Sequence, residues 1–225
     1  RVQGAVIVAE NATGKILTMT GGFSYPLSQL NRAIHMIRQP GSTVKPLSYL
    51  AALQRGYQPN TLLYDAEVSI PIKGKSVPWS PVNYERNEGT QVTTLRRALE
   101  NSRNRVTARL LYNIDNSPDE SLETIRTLYK QCGVHPEPEK NYSIVLGGLE
   151  VSMIDMATCF ATIANGGVRP KLHLIESVEK DGQRLKWNEP TPLPVAAADA
   201  TAFFQLRTIM QGVVERGTAE RLTST

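Results

Sequence analysis

Hydrophobic positions change their spacing several times along the 225-residue chain, and each change marks an element. Residues 2–9 and 15–20 alternate apolar with polar side chains, which predicts two strands joined by a short polar turn at 11–14. Beyond Gln39, Pro40 and Gly41 the apolar residues Leu47, Leu50, Ala51 and others recur three and four apart, predicting a helix that begins at or beside Ser42. Residues 57–91 read as a proline-rich connection with a short strand near 68–72. Helices are predicted at 93–101, 106–113, 118–132 and 151–164. The last is apolar on nearly every face, so burial on most sides is expected, with Met153 and Met156 in the core. Asn165, Gly166 and Gly167 then suit a glycine cap. A hairpin over 172–187, turning at Asp181 and Gly182, a short proline-rich linker at 190–194 and a final helix at 196–215 complete the pattern.

On this framework two serine and lysine pairs share the spacing SxxK. Ser42 and Lys45 fall where a helix starts, so both project from one face and the amine can reach the hydroxyl. A serine hydroxyl is a weak nucleophile until a base takes its proton, and a partly buried lysine can lose its charge and serve as that base. Ser42 suits a helix cap equally well on spacing alone. Ser177 and Lys180 lie in the strand pattern, where residues three apart face opposite ways, so this pair reads as structural. Ser102, Arg103 and Asn104 interrupt a helical pattern, placing a hydroxyl and a carboxamide at a polar break that can serve a cleft or simply cap the adjoining helices. Residues 77–87, VPWSPVNYERN, are either a packed surface loop or a groove lining.

Composition narrows the classes. With 40% hydrophobic and 20% charged residues the chain can bury a core, and a single domain is the natural reading. The net charge of +4 is spread along the sequence, without the clustered basic stripe expected of a nucleic-acid binder. No apolar run approaches the ~18 residues of a membrane span. Cys132 and Cys159 leave two buried thiols and one disulfide equally open, and His35, His135 and His173 are scattered, so neither metal nor cofactor is expected.

Taken with their neighbours, these residues resemble a known family. Asn31-Arg32-Ala33 followed by RQPGSTVKP at 38–46 resembles the first active-site block of the class A penicillin-binding proteins. GTQVTTLRRALENSRN at 89–104 is similar to their second block, and LGGLEVSMIDMATCFATIANGG at 146–167 to the helix and glycine turn that follow it. VVERGT at 213–218 resembles the approach to the third catalytic motif, and AVIVAENATGKILTMTGG at 5–22 the opening hairpin of the transpeptidase domain. The resemblance implies an α+β fold of the serine β-lactamase and penicillin-binding type: an antiparallel sheet flanked by helices, beside an all-helical region. It implies that Ser42 is the nucleophile, Lys45 the base, Ser102 a proton relay to the leaving amine and Asn104 a holder of a substrate amide. The implied substrates are peptidoglycan stem peptides ending in D-Ala-D-Ala, with β-lactams as mimics.

One departure accompanies the match. The related motif set is SxxK, SDN and KTG; here the second reads Ser-Arg-Asn, and no Lys-Ser/Thr-Gly occurs in the 225 residues. The expectation is a transpeptidase domain, residues 1–225, cut short of its third motif and inactive in isolation, with an unpaired sheet edge that favours self-association. The family's amino-terminal membrane anchor and glycosyltransferase domain are likewise expected upstream of Arg1, placing the intact protein on the periplasmic face of the inner membrane. A carboxypeptidase or β-lactamase of the same fold, and a non-catalytic penicillin-binding-like module, remain the alternatives.

Overall fold

The computed structural model describes residues 2–84, 91–135, 137–185, 190–195 and 199–223. In chain order its strands are β1 (Val6–Ala9), β2 (Ile16–Thr20), β3 (Ile37–Arg38), β4 (Leu62–Asp65), β5 (Gln91–Thr94), β6 (Val151–Ser152), β7 (Val168–Arg169), β8 (Glu179–Lys180), β9 (Gln183–Arg184) and β10 (Leu193–Pro194). Its helices are α1 (Arg32–His35), α2 (Lys45–Gln54), α3 (Leu95–Glu100), α4 (Asn104–Arg109), α5 (Pro118–Gln131), α6 (Met153–Ala164) and α7 (Ala200–Arg216). The chain forms two compact units, one of residues 1–38, 130–136 and 151–198, the other of residues 39–129, 137–150 and 199–225.

The first unit holds the β1–β2 hairpin, antiparallel with Val6 opposite Thr20 and a register shift between Val8 and Ala9. Asn31 caps α1, its side-chain oxygen accepting from the Ala33 amide, and β3 leads out of that helix to pair with β6. Ser152 caps α6 in turn: its hydroxyl accepts from the Asp155 amide and donates to the Asp155 carboxylate. Only Cys159, Ala161, Thr162 and Ile163 of α6 are buried, while Met153 and Phe160 are exposed. The expectation of methionines in the core is therefore corrected, because α1, β6 and β7 pack on α6 and leave an apolar face open among the described residues. Cys132 and Cys159 are both buried free thiols, which resolves the alternative of a disulfide. Hydrogen bonding with the neighbouring Cys132, and then burial, push the Cys159 thiol up.

Further along, β8 and β9 form the expected tight hairpin, with Asp181 and Gly182 both left-handed at its turn, and Lys180 is exposed on β8 with Ser177 just before it. The proline-rich stretch read as a linker contains β10, which pairs with β7. Trp187 and residues 196–198, where the last helix was expected to begin, lie outside the described residues; α7 is described from Ala200, capped by Asp199.

The second unit is built on α2, which is buried at every position from Lys45 to Leu53 and packs against α3, α4 and α7. A helix apolar nearly all round belongs at the centre of a helical layer. The last of these partners, α7, buries the stripe Ala202, Phe203, Leu206, Ile209 and Gly212, at the three- and four-residue spacing of one helix face. The strand expected near 68–72 reduces to a single bridge between Ile70 and Trp79. The regular pairing is instead β4 with β5, Tyr64 opposite Val92, two strands too short to show a period in the sequence.

Candidate active site

The second unit contains all four residues singled out for chemistry. Ser42 stands on a 3-10 turn, Gly41–Val44, that runs directly into α2, and the Lys45 amide donates to the Ser42 carbonyl. Neither a cap of this turn nor of α2, Ser42 is exposed, whereas Lys45 is only 1% exposed. Residues three apart eclipse within a 3-10 turn; Ser42 lies in the turn and Lys45 at the first position of the helix that continues it. The turn is braced from behind by Gly147, which is left-handed at φ +94°; a Cβ there would overlap the Gly41 carbonyl.

The second motif closes α3. Asn101 is the C-cap, the Ser102 amide donates to the Leu99 carbonyl at 2.9 Å and the Arg103 amide to the Ala98 carbonyl at 2.9 Å. These two bonds define a Schellman closure, whose left-handed position usually carries glycine. Here Ser102 occupies it at φ +52°. An L-residue with a side chain costs about 1–2 kcal/mol in that conformation, and what accompanies the cost is a hydroxyl aimed at Lys45. From Lys45 Nζ three hydrogen bonds run to Ser102 Oγ at 2.8 Å, the Ser102 carbonyl at 2.6 Å and Asn104 Oδ1 at 2.6 Å.

Those three acceptors match the three donors of an ammonium and oppose the effect of burial, which lowers Lys45 from 10.5 to about 8. The resting lysine is thus a cation that can shed its proton near neutral pH. Its hydrogen bonds go to the second motif and not to Ser42 Oγ, contrary to the simplest expectation from spacing. A buried ammonium is costly unless its donors are satisfied, and Ser102 and Asn104 supply all three acceptors.

Asn104 has both ends engaged, Oδ1 with Lys45 and Nδ2 with the Val82 carbonyl at 2.8 Å. One N–H and one lone pair remain for a substrate amide. Val82 belongs to a segment that the sequence left undecided between surface loop and groove. The structure places it at the site through Asn83, whose Nδ2 donates to Asp65 Oδ1 at 2.8 Å and whose Oδ1 accepts from the Arg105 amide at 3.1 Å. Asp65, 5% exposed, also lies 3.7 Å from Arg103 Nε. Sequence reasoning passed over Asp65 and Glu100, which carry no motif; Asn83 lay inside the flagged VPWSPVNYERN segment, of which residues 85–87 lie outside the described residues.

Ser42, Asn83, Tyr84, Ser102, Asn104 and Thr218 line one cavity of about 350 Å³. A larger groove of about 580 Å³ over Arg55, Tyr57, Tyr64 and Arg109 contains none of the candidate residues. Among the described residues no group of histidines, cysteines and carboxylates could hold a metal, and no helix is long and apolar enough to cross a membrane.

Ser42, Ser102 and Asn104 thus line one cavity, and the buried Lys45 bonds the last two beside it. Residues 4–224 match the penicillin-binding protein transpeptidase domain, and the chain belongs to that family. It is 34% identical to penicillin-binding protein 1A of Rickettsia bellii over 97% of its length, and 32% identical to penicillin-binding protein 1A of Neisseria gonorrhoeae over 97%. It spans 30% and 27% of the length of those relatives. In fold it is similar to the crystal structure of penicillin-binding protein 1A from Haemophilus influenzae, at a TM-score of 0.86 and 21% identity over 99% of this chain and 38% of that one. The transpeptidase domain of penicillin-binding protein 3 from Burkholderia pseudomallei is also similar, at 0.69 and 21% identity over 96% of this chain and 64% of that one. These likenesses establish the expected mixed helix-and-sheet fold.

Proposed function

We propose that residues 1–225 are part of the transpeptidase domain of a peptidoglycan-synthesising enzyme, acting on stem peptides ending in D-Ala-D-Ala outside the cytoplasmic membrane and acylated by β-lactams. The observation that supports this reading most is the three-way bonding of Lys45 to Ser102 and Asn104 beside the cavity that Ser42 lines.

In the proposed reaction neutral Lys45 takes the Ser42 proton as Oγ attacks the carbonyl of the penultimate D-alanine. The tetrahedral adduct collapses, the C–N bond to the terminal D-alanine breaks, and the departing amine receives its proton from Lys45 through Ser102 Oγ. The 2.8 Å separation of Nζ and that hydroxyl suits the relay. The Ser42 backbone amide supplies one donor to the developing oxyanion, a contribution of about 100- to 1000-fold per donor in comparable sites. An amine of a second stem peptide then resolves the ester and forms the cross-link. Asn104 holds Lys45 in register and offers its remaining N–H to the substrate.

Transfer separates this function from hydrolysis on the same fold. The full-length gene product, incubated with a D-Ala-D-Ala pentapeptide donor and an amine acceptor, is expected to release D-alanine and form the amide-linked product. Release of D-alanine with only the shortened peptide formed would favour a carboxypeptidase.

A further inference from the structure

Glu100 is the last residue of α3 and is fully buried, 0% exposed. A buried carboxylate is costly unless it is paired, and here arginines of α3 itself and of α7 surround it. Arg216, at the end of α7, donates from Nη2 to Oε1 at 2.6 Å and from Nε to Oε2 at 3.3 Å, a two-point contact. Arg97 Nη1 lies 3.5 Å from Oε2 and Arg96 Nη1 lies 3.9 Å from Oε1. The backbone adds a third tie, since the Thr218 amide donates to the Glu100 carbonyl at 3.1 Å. The approach is close enough that a Cβ on Gly212 would overlap the Glu100 carboxylate, and one on Gly217 the Glu100 carbonyl.

These contacts join the two ends of the cavity. Glu100 precedes Asn101 and Ser102 by one and two residues, and Thr218 lines the cavity with Ser42, Ser102 and Asn104. Thr218 is exposed, and among the described residues nothing bonds its hydroxyl. Arg216 lies outside the buried apolar stripe of α7 and its side chain is 41% exposed, so the pair is additional to that stripe's packing. What the pair fixes is the turn that follows the helix.

We propose that Thr218 is a substrate-contacting residue of the acyl-transfer site, its hydroxyl donating to an amide carbonyl of the bound acyl donor, and that Arg216, clamped by Glu100, is the positioning residue that holds it there. This inference rests on the acyl-transfer reading above.

Its test is the second-order rate of acylation of the full-length gene product by a fluorescent penicillin, resolved into binding and acylation steps, with thermal unfolding measured alongside. Thr218→Val, which keeps shape and removes the hydroxyl, is expected to slow acylation about 3- to 10-fold, the usual effect of one lost neutral hydrogen bond. Thr218→Ser is expected to restore it. Arg216→Met is expected to cause a similar loss, and the Thr218→Val/Arg216→Met double variant no further loss, since both act through one contact. If Arg216→Met unfolds, Arg216→Lys takes its place in the cycle, because it keeps the charge and gives up the two-point grip. Thr218→Val at the wild-type rate, or losses that multiply in the double variant, would overturn the inference. Labelling that survives Ser42→Ala would instead sink the acyl-transfer reading beneath it.

Discussion

Asn104→Asp replaces a neutral acceptor 2.6 Å from Lys45 Nζ with a carboxylate of nearly the same shape. With Lys45 at about 8, roughly a tenth of the molecules hold a neutral amine at pH 7. An opposite charge at this range typically moves a partner's pKa by about 1–3 units, here upward, because the carboxylate favours the ammonium. The neutral fraction at pH 7 then falls to between about 1% and 0.01%, and acylation should fall about 10- to 1000-fold with it. Loss of the Nδ2 bond to Val82 and of any substrate contact would also slow the reaction, but equally at every pH. The displacement of the pH profile is therefore the diagnostic quantity. Stopped-flow acylation of the full-length gene product between pH 5.5 and 10 reports the free enzyme's pKa. The wild type is expected to rise tenfold per pH unit and level off near 8, and Asn104→Asp to go on rising beyond 9. An Asn104→Asp profile that levels off at the wild-type pH, however slow, would refute the assignment of Lys45 as base.

Three further outcomes follow from the same geometry. Folded Lys45 titrates below its unfolded 10.5, so the unfolded chain holds the extra proton between the two values; stability should increase by about 2 kcal/mol from pH 8 to 10, a rise absent in Lys45→Met, as measured by urea unfolding. Ser102→Gly relieves about 1–2 kcal/mol of left-handed strain and forfeits a hydrogen bond of about 0.5–1.5 kcal/mol, so calorimetry should find stability little changed while acylation drops about 100- to 10,000-fold. Gly147→Ala combines the left-handed penalty with overlap on the Gly41 carbonyl and should lower both the melting temperature and the acylation rate, whereas an unaltered melting temperature would show that the brace behind Ser42 can yield.

The parts legible in the sequence are those set by local chemistry. Pro40 and Gly41 announce the turn under Ser42, the apolar spacing of α2, α5 and α7 gives their existence, and Asp181-Gly182 gives a hairpin. The contrast between a helical SxxK at Ser42 and an extended one at Ser177 is likewise written in periodicity. The parts that were not legible depend on contacts distant in sequence. Lys45 bonds residues 57 and 59 positions away, and no spacing rule encodes that choice. Strands β4 and β5 are four residues each and pair across a long connection, so their alternation is too brief to see. Helix α6 reads as buried because nearly all its residues are apolar, yet exposure depends on what packs against it. Glu100 sits between strong motif residues without a signature of its own, and only its arginine partners reveal it.

Peptide-level mass spectrometry after brief exposure of the full-length gene product to a penicillin tests the central claim most directly. The account predicts a single adduct of the intact penicillin mass on the peptide containing Ser42, absent in Ser42→Ala and unchanged in Ser177→Ala. An adduct elsewhere, or none on a folded protein, would contradict it.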